Sequence, residues 1–360
     1  VRYKKIWGKG PTKVSVRTEH GFDINIRVLP EETFGAGLQY FTGSKEHNVR
    51  LRTLAIEKGY KVSEYGVFTA KGGRRVACRT EEEVYNVLGL PYIEPELRED
   101  TGEIEAALRQ AQGKPLGLPD IIPYDSLQGD LQVQTNWTDG EHSIEEMAKE
   151  AKRQGLSYIA ITDHTQDLAM TSGSNEKKLL KQMAEIDRVN RRVSGMTVLK
   201  GAEVNIRKDG TLDIADNMLA KLDVVGASVH SYFKLPKKEM TSRIVRAMQN
   251  PNVDILFHPT GRLIQKREPC EVDMDVLIKT AKKTGTLLEA NASPLRLDLK
   301  DSDIRKAVEM GAGLVIDSDA HRKEHFSALR YGIAQARRGW ATKKDILNTR
   351  PLKSLLSSLK

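Results

Sequence analysis

The feature that most limits what this 360-residue chain can fold into is a series of short apolar runs, most of them closed by a metal-ligand type of residue. The runs occupy 129–140, 158–164, 199–203, 224–230, 253–259, 286–291 and 314–321. In most of them the apolar stretch stops and a His, Asp or Glu follows at once. Helix-compatible segments at 143–154, 176–193, 237–249, 272–284 and 301–310 alternate with them. Such alternation predicts a parallel sheet, and seven strands within 232 residues suit a barrel better than an open sheet. A parallel barrel brings the C-terminal ends of all its strands to one rim, so the closing residues are expected to converge. No Gly-x-Gly-x-x-Gly follows any of these strands, which argues against dinucleotide binding.

Seven residues are singled out by this pattern: Asp139, His164, Glu203, His230, His258, Asp319 and His321. Four of the eight histidines of the chain are among them. Each alone would be ordinary. Asp139 before Gly140 suits a turn, and Asp163 before His164 suits a helix cap. Together, imidazoles and carboxylates on one rim would hold Zn²⁺, Mn²⁺ or Fe²⁺, with a carboxylate such as Glu203 able to bridge two ions. Ions a few Å apart polarise a phosphate, activate water and neutralise the leaving oxygen, which needs no Ser or Cys nucleophile. The barrel therefore reads as a metal-dependent phosphoesterase. Its first strand is the exception: Gln132 and Gln134 stand where ligands are expected. Glu289 and Asn291 suit either support of the shell or a structural role at a strand end.

Charge is unevenly spread. The formal net charge is +8, but residues 1–79 carry 16 Lys/Arg against 7 Asp/Glu, and residues 80–128 carry 3 against 11. A basic head of that density suits a polyanion such as nucleic acid. Residues 1–30 read as two strands, the second placing Asp23, Asn25 and Arg27 on one face. Residues 31–60 read as helical with a break at 42–44, and strands at 61–68 and 74–79 flank Gly72-Gly73. Thr80-Glu81-Glu82-Glu83 opens a helix with a capping-box outline, ending at Gly89. Prolines at 91, 95, 115, 119 and 123 suggest a linker with one short helix at 103–111. There is no apolar run long enough to span a membrane and no signal-peptide pattern. Cys78 and Cys270 show no metal-type spacing, so a reducing, cytoplasmic setting is expected. The first residue, Val1, lies in a basic stretch, which suggests that the chain is part of a longer protein.

The motifs Leu131 to Gly140, Thr162-Asp163-His164, Gly201-Ala202-Glu203, Ser228-Val229-His230, His258-Pro259 and Asp317-Ser318-Asp319-Ala320-His321 resemble, in order and spacing, the polymerase-and-histidinol-phosphatase (PHP) domain. The resemblance implies a distorted (βα)₇ barrel with a three-ion cleft. It places His230, His258 and Glu203 on one ion and Asp139, His164 and His321 on another. Glu203 and Asp319 would share the third with a first-strand His-x-His, here Gln132 and Gln134; a neutral amide oxygen is a weaker ligand than imidazole. By the same resemblance Glu203, Asp319 and His321 would be catalytic.

The head resembles the family X DNA polymerases. Tyr40-Phe41-Thr42-Gly43-Ser44-Lys45, with Gly10-Pro11-Thr12-Lys13 before it and Leu90-Pro91-Tyr92 after it, carries the likeness. It implies an α/β chain with the end of a polymerase palm at 1–30, a thumb at 31–103, a linker at 104–128 and the PHP barrel at 129–360. Tyr40, Phe41 and Gly43 would line the sugar pocket, Asn48 would reach the incoming base, and Arg52 the template minor groove, with Arg27 also on the DNA side. The family's polymerase centre uses Mg²⁺ on three aspartates; Asn25 stands at the third position, and DNA synthesis is not expected. The implied activity is a 3′–5′ exonuclease or 3′-end-processing phosphoesterase in DNA repair. It would use two to three Mn²⁺ or Zn²⁺ ions in a monomeric cytoplasmic protein with DNA as partner. Two alternatives are a catalytically weakened barrel serving as a DNA-binding scaffold, and a histidinol-phosphatase-like small-molecule phosphatase.

Overall fold

The protein is described by a computed structural model covering residues 2–360; Val1 lies outside the described residues. The chain forms two compact units, divided between Leu118 and Pro119.

The first unit opens with an antiparallel sheet of β1 (Tyr3–Lys9), β2 (Lys13–Thr18) and β3 (Asp23–Arg27). Two strands were expected here and three are found. The missed one, β1, has Lys4-Lys5 interrupting its alternation, and its ladder to β2 shifts register at Tyr3/Lys5 and Ile6/Gly8. After a 3₁₀ turn at Glu31–Thr33 come α1 (Phe34–Thr42) and α2 (Lys45–Glu57), broken where the sequence predicts. Ser44 caps α2 by accepting the His47 N–H at 3.2 Å. A second sheet holds β4 (Tyr60–Ser63), β5 (Gly66–Thr69) and β6 (Arg75–Ala77). The strand expected at 61–68 is therefore two, because the chain reverses at Glu64-Tyr65, where Ser63 Oγ accepts the Tyr65 N–H at 3.3 Å.

In α3 (Glu81–Val87), Thr80 Oγ1 accepts the Glu83 N–H at 3.2 Å, while the Glu83 carboxylate takes the N–H groups of Cys78 and Arg79. Then comes α4 (Glu103–Ala111), with Ile104, Ala106 and Ala107 fully buried. Glu103 is buried too, against His47 Nδ1 at 2.7 Å and the N–H groups of Asp100 and Thr101 at 2.9 and 2.8 Å. Residues 104–128, expected as a linker, are divided between the two units. The helix is packed into the first, whereas Ile122 and Leu127 join the core of the second and Ile121 bridges to Thr342.

The second unit is the expected barrel. Its seven parallel strands are β7 (Gly129–Val133), β8 (Tyr158–Ile161), β9 (Thr197–Asn205), β10 (Val224–Ser228), β11 (Ile255–Leu256), β12 (Leu287–Asn291) and β13 (Leu314–Asp317). They lie side by side in chain order, and a parallel bridge from Val133 to Ala320 brings the last strand's end back to the first. The helices α5 (Ile144–Arg153), α6 (Glu176–Arg192), α8 (Lys237–Met248), α9 (Met274–Thr284) and α10 (Asp301–Met310) stand where the periodicity put them; α7 (Asp216–Leu219), α11 (Leu329–Arg338) and α12 (Leu352–Leu356) were not anticipated.

Period-two alternation sorts each strand's residues. Leu131, Tyr158, Ala160, Leu199, Val224, Ile255, Phe257, Leu287 and Val315 pack together as an inner floor. Their neighbours Ile159, Val198, Val225, Leu256, Leu288 and Ile316 pack in the larger cluster with the surrounding helices. Along β9 the inner positions run Leu199, Gly201, Glu203; along β10, Val224, Gly226, Ser228; along β12, Leu287, Glu289; along β13, Val315, Asp317. One face of each of these four strands thus carries a greasy floor and a polar rim. Gly226 is required there, since a Cβ would lie 1.8 Å from the Phe257 ring.

Candidate metal centre at the barrel rim

The rim is built around Glu203, fully buried on β9. Its Oε1 lies 2.9 Å from His258 Nε2 and 3.1 Å from His230 Nε2, and accepts the Ser228 hydroxyl at 2.5 Å. Its Oε2 lies 3.4 Å from His164 Nδ1 and accepts the Gln134 Nε2–H at 2.8 Å. Burial favours the neutral acid, but the charges of His164 and His230 and the imidazole hydrogen bonds outweigh it and hold Glu203 well below the usual carboxylate range.

A second focus is Asp139, in the loop after β7. Its Oδ2 lies 3.6 Å from His164 Nε2 and 3.5 Å from His321 Nε2. Ligand atoms of Asp139, His164 and His321 fall within 4.8 Å of one another, and so do those of His164, Glu203 and His230. Two imidazoles are oriented by their other nitrogen: His230 Nδ1 lies 2.7 Å from Asn205 Oδ1, and His321 Nδ1 lies 2.9 Å from the Asp319 carbonyl. Each contact sets a proton on Nδ1 and turns Nε2 toward a carboxylate, the orientation of a metal-ligating His once an ion takes the place of the Nε2 proton.

The remaining ligand types differ in state. Burial and the nearby Arg296 charge depress His258 to about 4, so it is a neutral imidazole. Despite burial, Asp139 and the Asp319 carboxylate raise His321 to about 10, so a cation arriving there displaces a proton. Burial, then Asp317, push Glu289 well above the usual range. His258 and Asp319 adopt positive φ, 28° and 54°. Left-handed backbone at two non-glycine rim residues is the kind of strain that functional sites retain.

The donor set suits divalent ions at the first two positions: carboxylate and imidazole converge, and His164 Nδ1 is buried without a hydrogen bond. The third position differs. Gln132 Oε1 accepts the Asn291 Nδ2–H at 3.1 Å, Gln134 turns its N–H to Glu203, and Asp319 Oδ2 is 3.1 Å from Arg296 Nε. That set does not fit a further ion.

Asp163 is no helix cap. It is buried and accepts the Thr135 N–H and the side-chain groups of Thr135, Thr138 and Gln182 at 2.5–2.8 Å, anchoring the loop that carries Asp139. Sequence reading also passed over Asn205, Ser228 and Arg296. The first two sit two residues from Glu203 and His230 in sequence, a spacing that marks a shared strand face.

In the head, Tyr40 and Phe41 meet edge to face at 5.2 Å between ring centroids, and the Arg27 guanidinium lies 5.3 Å from the Phe41 centroid. Gly43 follows them at a φ of 73°. Asn48 donates to the Tyr40 carbonyl at 2.7 Å and accepts from Gln39 at 2.8 Å, so its amide already ties α1 to α2. Arg52 is exposed, with Nε 3.2 Å from the Asn48 carbonyl. On β3, Asn25 Oδ1 accepts the Ser15 hydroxyl at 2.5 Å and Asp23 pairs with Arg17 through two contacts of 2.8 Å.

Comparison with known proteins agrees with this layout. The family model of the DNA polymerase beta thumb matches residues 37–99, and that of the PHP domain matches residues 130–291. Over 359 residues, 99% of its length, the chain is 42% identical to the DNA polymerase/3′-5′ exonuclease PolX of Bacillus subtilis. The chain belongs to the PHP-domain proteins. It spans 62% of that relative's length. A probable phosphatase of Thermoanaerobacter is 30% identical over 58% of this chain and 84% of its own, and one of Caldanaerobacter subterraneus is 31% identical over 50% and 70%. The match to the first relative runs across both the thumb and the PHP regions, while the two phosphatases match a smaller share of the chain. Among the described residues no helix is long and apolar enough to cross a membrane.

Proposed function

We propose that this chain is a metal-dependent phosphoesterase that shortens or trims DNA from its 3′ end, with the PHP barrel, at 129–360, hydrolysing and the thumb, at 31–103, supplying affinity for DNA. The observation that carries the reading is the pair of ligand groups, Asp139/His164/His321 and His164/Glu203/His230, that meet through His164. Mn²⁺ or Zn²⁺ bound there supplies Lewis acidity and an activated water. The protein's part is positional. Glu203 gathers His164, His230 and His258 around one carboxylate. Asp139 aligns His164 with His321, and Asp319 holds His321 through its carbonyl. Glu203, Asp319 and His321 are accordingly assigned as catalytic, with Asp139, His164, His230 and His258 completing the ligand set.

DNA is the substrate this chain's head favours. Tyr40, Phe41 and Gly43 form a compact aromatic corner for a sugar or base, with Arg27 beside it and Arg52 exposed for phosphate. Asn48 supports that corner from within. Mg²⁺-dependent synthesis is not part of the reading: Asn25 is neutral and its oxygen is taken by Ser15. Template-directed nucleotide incorporation by this chain would contradict that. A monomer in the cytoplasm is proposed, in keeping with two buried free cysteines.

The test offers 5′-labelled DNA and L-histidinol phosphate in parallel, with Mn²⁺ and then with EDTA. Stepwise shortening of the DNA that EDTA abolishes is expected. Phosphate release from histidinol phosphate alone would move the assignment to a small-molecule phosphatase. DNA binding without any hydrolysis would favour a scaffold role, the reading that the buried Gln132 and Gln134 support.

A further inference from the structure

The first strand and the loop after β12 meet at the position where a third ion would sit. Gln134 donates Nε2–H to Glu203 Oε2 at 2.8 Å. An amide nitrogen has no lone pair to offer an ion, and the reversed amide would set Oε1 against an ionised oxygen, so the contact fixes the orientation. Gln132 spends its Oε1 on Asn291 Nδ2 at 3.1 Å. Asp319 Oδ2, the other acidic oxygen at this position, receives Arg296 Nε at 3.1 Å and Asn291 Nδ2 at 3.3 Å. Arg296 also keeps a buried Nη1 without a hydrogen-bond partner, so its charge is not spent on further acceptors there. Glu203 and Asp319 are thereby each given a donor on one carboxylate oxygen, and Arg296 brings a permanent positive charge.

We propose that Gln134 and Arg296 together replace the third ion of a three-ion PHP cleft, so that this chain works with two ions and a fixed guanidinium. The inference rests on the phosphoesterase reading above and names which part of the rim is protein and which is metal. Gln134 performs the ion's task of holding Glu203 Oε2 in place. Arg296 performs its task of balancing Asp319. Asn291 joins the two halves by donating to both Gln132 and Asp319.

The experiment counts ions. The chain is stripped with EDTA, loaded with Mn²⁺, freed of excess by gel filtration and measured by elemental analysis. Two ions per chain are expected. Three would overturn the replacement while leaving a metal-dependent phosphoesterase intact; fewer than two would overturn the ion cleft and both readings with it. In the variant carrying Q132H, Q134H and R296Q the count is expected to rise to three. A folded triple variant that still holds two would show that these residues are not what excludes the ion. The wild-type count needs no variant, so the proposal stays testable if the triple variant fails to fold.

Discussion

Asn205 Oδ1 lies 2.7 Å from His230 Nδ1, and this one contact decides which nitrogen of the ring faces Glu203. In Asn205→Leu the ring loses its orienting partner, and Nε2 is no longer held toward Glu203. Mn²⁺ affinity is expected to fall by about 10–100-fold, the usual cost of removing such a support. Calorimetric Mn²⁺ titration measures it; unchanged affinity would remove Asn205 from the site.

Gly226 tests the floor beneath the rim. A methyl group there would sit 1.8 Å from an atom of the fully buried Phe257 ring. Gly226→Ala is expected to destabilise the barrel by about 1–3 kcal/mol, by overpacking a closed interior. Denaturant unfolding reads this directly.

Much of this architecture was legible in the chain. The apolar run that stops at a carboxylate or imidazole is a local pattern, and it survives because the same inward face of a strand carries both floor and rim: Leu199 and Glu203 are four residues apart on β9. What could not be read depends on closure. Arg296 reaches Asp319 across separate strand connections, and no spacing announces that. Asp163 looked like a cap because its donors, Thr135 and Thr138, come from the preceding βα unit and Gln182 from the following helix. In the head, β1 was lost because Lys4-Lys5 hides its alternation, and the turn at Glu64-Tyr65 has one glycine, Gly66, set after the bend at a φ of 135°, where it reads as part of one continuous strand.

Asp254 gives a pH signature away from the rim. Burial raises its carboxyl to about 6, although it accepts the N–H groups of Val225 and Lys360 at 2.8 and 2.9 Å. A carboxyl raised in the folded chain binds its proton more tightly there than in the unfolded chain. Its stabilising contribution is therefore complete below the unfolded value of about 3.9 and is lost as pH rises through the folded value. Lowering the pH from 8 to 5 is expected to gain on the order of 1 kcal/mol from this group. The gain should vanish in Asp254→Asn, which a comparison of the two unfolding midpoints across that range checks.

Arg27 and Arg52 test the head. If each meets a phosphate, Arg27→Ala and Arg52→Ala should each weaken binding to any DNA sequence and reduce the slope of log affinity against log salt by about 1. Fluorescence anisotropy at several salt concentrations measures both. An unchanged slope would take that arginine off the DNA.

The central claim, that the rim cuts DNA through its converged imidazoles and carboxylates, is tested most directly with a 5′-labelled strand in Mn²⁺, comparing the wild-type chain with His230→Ala. Progressive loss of length from the 3′ end in the wild type, absent from the variant, is the expected result. A wild-type chain that leaves the strand intact, or a variant that shortens it equally well, would contradict the account.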